Sequence, residues 1–107
     1  MTEMTSLDRT FAALGDGTRR AILARLASGE TALSDIAAPF DMSQTAVSKH
    51  VRVLSDAGLV RVTKRGRTRY CRLEAAPMKL ASDWLGTYQQ FWAQQFESLA
   101  AHLESDE

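Results

Sequence analysis

Between Ser43 and Arg72 the chain lines up side chains suited to one kind of chemistry: hydrogen bonding to the polar edge of a base and pairing with phosphate. Val47, Val51 and Leu54 recur at i, i+4 and i+7 and must turn inward on a helix. Ser43, Gln44, Thr45, Ser48, Lys49 and Arg52 are then left on its outer face. The first residues of such a helix reach deepest into a major groove, and Gln can pair bidentately with adenine. Gln44 and Thr45 are therefore the foremost base-reading candidates, with Ser48 next. Lys49, Arg52, Lys64, Arg65 and Arg67 are candidates for phosphate or minor-groove contacts. His50 lies beside the inward positions; it suits either a phosphate or a half-buried place against a backbone carbonyl, and the sequence leaves both open.

The bland alternative is a capped helix start followed by a solvated charge run. Charge distribution argues against it. Residues 43–72 hold eight basic side chains against Asp56 alone, while both flanks carry more acids than bases, so the whole chain nets to zero. Screening acts over about 8 Å at physiological salt, so the local excess is what a phosphate meets. Double-stranded DNA is the expected partner.

Other classes fit less well. No nucleophile–base pairing, phosphate loop or metal cluster is recognisable, so no enzyme is expected. The single Cys71 excludes an internal disulfide and reads as a buried strand residue. No apolar run approaches the roughly 20 residues of a membrane span. The polar stretch Met1 to Asp8 does not fit a secretory signal, which implies a cytoplasmic protein. At 107 residues one domain over 1–107 is expected.

The elements that must hold these side chains are mainly helical with a small β-hairpin. Leu7, Phe11 and Leu14 predict a helix over 7–14, stopped by Gly15. Asp16 should cap a helix over 17–28 with Ala21, Ile22 and Leu26 inward and Arg19, Arg20 and Arg25 in solvent. Thr31 should cap another over 32–39, with Leu33, Ile36, Ala37 and Phe40 inward and Met42 plugging the turn after it. Ser43 caps the candidate reading helix, which runs to about Ala57 and ends at Gly58. Residues 59–63 and 68–73 form the hairpin, with Gly66 in its turn. The imperfect alternation leaves its buried face open.

A last helix over 77–103 carries Leu80, Trp84, Leu85, Tyr88, Phe91, Trp92, Phe96, Leu99 and Leu103 at 3–4 spacing. It would be roughly 40 Å long, against a diameter of roughly 34 Å for a compact domain of this size. Such a stripe should not stay wet. A homodimer is implied, with Leu7, Phe11, Trp84, Leu85, Tyr88, Phe91, Trp92 and Phe96 at its interface.

Three stretches resemble the ArsR-type winged helix-turn-helix regulators along almost the whole chain: Ala12 to Leu23, Ser43 to Leu54, and Ala57 to Val60 with Gly66, Arg67 and Tyr70. The resemblance implies a helix-turn-helix over 32–57, a wing over 59–73 and dimerisation helices over 7–14 and 77–103. It also implies a dimer on an inverted-repeat operator, usually a repressor. The Trp84–Phe96 pattern is similar to a metal-independent branch. Metal-sensing members carry a Cys pair where this chain has Ser34 to Ala38, and Asp83, His102 and Glu104 lack the two-His spacing of others. No metal or cofactor is expected, and the sequence names no small-molecule or metal inducer. A ligand- or redox-gated sensor on the same fold, and a protein-interaction module that has lost DNA binding, stay open as alternatives.

Overall fold

The computed structural model describes residues 5–105. The extreme ends of the domain expected over 1–107, including Met1 to Met4 of the polar N-terminus, lie outside the described residues. Six helices and three short strands follow in the order α1 (Ser6–Leu14), α2 (Gly17–Leu26), β1 (Thr31–Ala32), α3 (Leu33–Ala37), α4 (Gln44–Asp56), β2 (Val60–Arg65), β3 (Thr68–Leu73), α5 (Ala76–Gly86) and α6 (Gln89–Ser105).

The first helix starts at a capping box: Thr5 Oγ1 accepts from the Asp8 N–H, and Asp8 accepts from the Thr5 N–H. Gly15 follows it at φ −73°, so it is not there for a left-handed turn. A Cβ at Gly15 would stand 3.3 Å from the Ala12 carbonyl, which favours the smallest residue. Asp16 caps α2 as expected, accepting from the Arg19 N–H. The buried stripe of α2 is Ile22, Leu23 and Leu26; Ala21 is exposed, correcting the expectation by one position. The helix also stops two residues earlier than the predicted Ser28.

The expected helix over 32–39 shrinks to Leu33–Ala37, and Thr31 does not cap it. Thr31 and Ala32 instead pair antiparallel with Cys71 and Tyr70, adding a third strand to the hairpin in the order β1-β3-β2. Two residues carry too little pattern to predict a strand; the exposed edge of β3 recruits them. Phe40 packs on the core as expected. Met42 is 38% exposed and plugs nothing.

The fourth helix agrees closely with expectation. Ser43 Oγ accepts from the Ala46 N–H, and Val47, Val51 and Leu54 are buried. Its end is a Schellman motif, with Gly58 at φ +78°, Leu59 N–H bonded to the Leu54 carbonyl and Gly58 N–H to that of Ser55. Leu54 and Leu59 are both fully buried beside it. This fixes the direction in which the hairpin leaves α4. The hairpin turns through Gly66 at φ +65° and Arg67, a two-residue loop with glycine at its first central position. The buried face, open in the sequence, is the one with Val60 and Cys71.

The predicted single long helix is broken. It starts at Ala76 with Pro77 in its first turn, stops at Gly86, turns through Thr87 and Tyr88 and restarts at Gln89. Gly86 and Thr87 are poor helix formers, and Thr87 Oγ1 donates to the Trp84 carbonyl at 2.7 Å. On α5, Ala81 is buried, and Trp84 meets Phe11 of α1 edge-on at 5.5 Å between ring centres. Every side chain from Ser82 to Glu104 is exposed. The radius of gyration is 18.3 Å, against about 13 Å for a compact chain of this length.

Candidate nucleic-acid interface

An open groove of about 800 Å³ runs between the outer face of α4 and the hairpin. Gln44, Thr45, Ser48, Lys49 and Arg52 line its helical wall, and Val62, Arg67, Thr68 and Arg69 its strand wall. Six candidates separated by up to 23 positions in sequence thus share one surface. Gln44 and Thr45 stand exposed in the first turn of α4, whose free N–H groups also favour anions.

Four sequence candidates stand elsewhere. Ser43 is occupied as the helix cap. His50 turns the other way: its Nδ1 lies 3.3 Å from the Arg19 guanidinium and 3.9 Å from Asp16. Arg19, expected in solvent, also donates from Nε to the Ala13 carbonyl at 2.7 Å. Arg65 is tied to Glu30 and lies over the Tyr70 ring, 4.1 Å from its centre. Lys64 does not line the groove but pairs across the hairpin with Arg69, which does.

Sequence reasoning missed four polar groove residues: Arg69, Thr68, Ser34 and Ser55. Arg69 was recoverable, because strand alternation places it on the face of Cys71, one turn of the pleat from Arg67. Ser34 and Ser55 needed the packing of α3 against α4.

The two faces of the hairpin treat their like-charged cross-strand pairs differently. Arg61 and Arg72 stand opposite each other, and Glu74 neutralises both at 3.3 and 2.9 Å. The Arg72 guanidinium holds the Glu74 carboxyl below the usual carboxylate range, with Arg61 adding to it. Lys64 and Arg69 face each other with no acid between them. Among the described residues, Lys49, Arg52, Lys64, Arg67 and Arg69 have no ion-pair partner in the chain. Opposed like charges repel, so this wall is set to receive an external anion.

Cys71 is fully buried at the base of the hairpin, and burial pushes its thiol pKa up. Burial thus disfavours the thiolate, the reactive form. Among the described residues no group of three or more His, Cys, Asp or Glu side chains could hold a metal ion. Asp83 is engaged with Lys79 at 3.1 Å. No described helix is long and apolar enough to cross a membrane.

Away from the groove lining, α5 and α6 present Leu80, Trp84, Tyr88, Phe91, Trp92, Phe96, Leu99 and Leu103, each 44–69% exposed. Phe11 and Trp84, both expected at a subunit interface, also pack on each other within the chain.

Comparison with known proteins places this geometry. A helix-turn-helix domain family matches residues 14–63. The HTH-type transcriptional regulator Rv2034 of Mycobacterium tuberculosis is 38% identical over 107 residues, covering 99% of this chain and 96% of that protein. The transcriptional repressor SdpR of Bacillus subtilis is 29% identical over 79 residues, covering 74% and 88%. The crystal structure of an ArsR family transcriptional regulator superimposes with a TM-score of 0.76 at 41% identity, over 82% of this chain and 91% of that one. A homodimeric winged helix-turn-helix DNA-binding domain from Mycobacterium bovis superimposes with a TM-score of 0.62 at 28% identity, over 86% and 82%.

Proposed function

This chain belongs to the ArsR family of winged helix-turn-helix transcriptional regulators, and we propose that it works as a homodimeric repressor gripping an inverted-repeat operator. The family's members are DNA-binding regulators and not enzymes. The groove between α4 and the hairpin carries the reading for DNA: it joins hydrogen-bonding side chains to cations with no ion-pair partner among the described residues.

Each residue type has one role on this reading. Gln44 and Thr45 enter the major groove and hydrogen-bond base edges, Gln44 suiting adenine, with Ser48 one turn behind. Lys49 and Arg52 meet phosphates at the rim. Arg67 and Arg69, with Lys64 beside them, follow the backbone as it leaves α4. Arg65 serves as a strut that holds the hairpin to the loop before β1.

Two copies are needed to cover the apolar stripe of α5 and α6, and the homodimeric neighbour has this fold. Two-fold symmetry in the protein implies two-fold symmetry in the operator. A dimer lying across two successive major grooves blocks the DNA beneath it, which is repression, the activity named for the Bacillus subtilis relative. Acting on DNA, it works in the cytoplasm.

The test is selection of bound DNA from random sequence, followed by titration at several salt concentrations. Recovery of an inverted repeat with half-sites about one helical turn apart is expected. If each of Lys49, Arg52, Arg67 and Arg69 neutralises one phosphate per protomer, log K falls against log salt with a slope of about −7. Salt-independent affinity, or equal affinity for scrambled DNA, would overturn the assignment.

A further inference from the structure

Reading DNA requires α4 to be held at a fixed angle to its surroundings. Val47, Val51 and Leu54 anchor its inner face, but apolar contacts carry no direction. A directional contact comes from Arg19. Its guanidinium donates from Nε to the Ala13 carbonyl at 2.7 Å and from a terminal nitrogen to that of Ala12 at 3.2 Å. These carbonyls belong to the last two turns of α1, where intrahelical donors run out. The other terminal nitrogen points to His50 Nδ1 at 3.3 Å, in the middle of α4. Asp16 completes the corner: it caps α2 through the Arg19 N–H and lies 3.9 Å from the same imidazole nitrogen. One planar fork therefore joins the end of α1, the start of α2 and the middle of α4. The first helix in turn carries Phe11 against Trp84 of α5.

We propose that Arg19 and His50 are a positioning pair for the reading helix, locking α4 to the α1–α2 corner so that the apolar face of α1 and α5 and the DNA groove move as one body. The proposal rests on the DNA-binding reading above. Neither residue touches DNA on this account; both act through the angle of α4.

The chemistry gives the pair a signature that packing alone would not have. Nδ1 accepts from Arg19 only when it carries no proton, so the contact selects the neutral ring with its proton on Nε2. A protonated ring cannot accept, and would bring Nδ1–H against the guanidinium. The charged groups around this corner are Arg19 and Asp16 from α2 and its cap, Arg9 from α1, and Asp56 further along α4. Asp16 is already committed: the hydrogen bond from the Arg19 N–H, with the Arg19 charge adding to it, holds its carboxyl below the usual range. The neutral ring is thus the coupled state.

The experiment measures affinity for the selected operator and for scrambled DNA from about pH 8 to about pH 5.5. Wild type should lose about tenfold in the ratio of the two as pH falls. His50→Asn keeps an acceptor oxygen near the place of Nδ1 and does not titrate; it should hold the full ratio across the range. His50→Leu removes the acceptor and should show the reduced ratio at every pH. Arg19→Lys keeps the charge but not the three-pronged fork, and should match His50→Leu. Melting temperatures check that each variant is folded, and the partly exposed His50 keeps the test open should Arg19 variants unfold. A His50→Leu protein with wild-type selectivity and wild-type pH profile overturns the proposal. If DNA binding itself were misread, wild type would not separate operator from scrambled DNA at any pH, and the proposal would fall with it.

Discussion

The groove beside α4 and the arm formed by α5 and α6 are unfinished in opposite ways. The groove lacks anions: Lys49, Arg52, Arg67 and Arg69 line it with no acid partner among the described residues. The arm lacks apolar neighbours: Phe91, Phe96 and Leu103 are 60% exposed or more. Water treats the two differently. A solvated cation costs little while it waits, and its counterions leave when phosphate arrives. Exposed hydrocarbon costs about 25 cal/mol per Å² for as long as it is wet. The arm therefore calls for a permanent partner and the groove for an exchangeable one. A regulator needs that division, with an assembled dimer that comes and goes on DNA.

Breaking the arm should have the largest effect. Trp92→Ala removes an aromatic whose burial in a dimer is worth about 3–5 kcal/mol. Sedimentation should show monomer, and operator binding should weaken with it. A dimer of wild-type strength would place the seam elsewhere on the arm. Next comes the floor of the groove: Gln44→Ala should cost about 1–3 kcal/mol on the selected operator. It should leave scrambled DNA unaffected, so both must be titrated.

The rim separates true groove cations from internal struts. Arg52→Ala with Arg67→Ala should flatten the salt slope by about 2 for each protomer engaged. Arg65→Ala should leave the slope alone, because Arg65 is spent on Glu30 and Tyr70. An Arg65 variant with a flattened slope would erase that distinction. The smallest effect belongs to the neutralised face of the hairpin. Glu74 has its pKa lowered in the folded state by Arg72. Its contribution is present above the ordinary carboxylate range and lost as pH falls through the lowered folded value. Thermal unfolding at stepped acid pH should therefore show a slightly shallower loss of stability for Glu74→Gln than for wild type.

Much of the groove was legible because its signals are local. Ser43, the i, i+4, i+7 stripe and Gly58 specify where α4 begins, which way it faces and where it stops. Gly66 specifies the hairpin turn. The errors lie where a distant residue decides. Thr31 looked like a cap because nothing nearby revealed the free edge of β3. Arg19 looked solvated because its acceptors are the end of another helix and a histidine 31 positions away. The pairing of Arg65 with Glu30 was hidden because Glu30 lies 35 positions off. The break in the last helix was written in Gly86 and Thr87, but the aromatic period running through it hid the signal.

The sequence by itself determined the bounds and facing of α4, the turn of the hairpin, the excess of positive charge between residues 43 and 72 and the surplus of apolar surface after residue 80. Each follows from periodicity, capping and composition within a few turns of chain. Only the tertiary structure decided which cations are free. An arginine's role depends on whether a carboxylate or a carbonyl reaches it first, and chain folding, not spacing, brings those acceptors near. That is why Arg67 and Arg69 are left to the groove while Arg65 and Arg19 hold the frame that carries it.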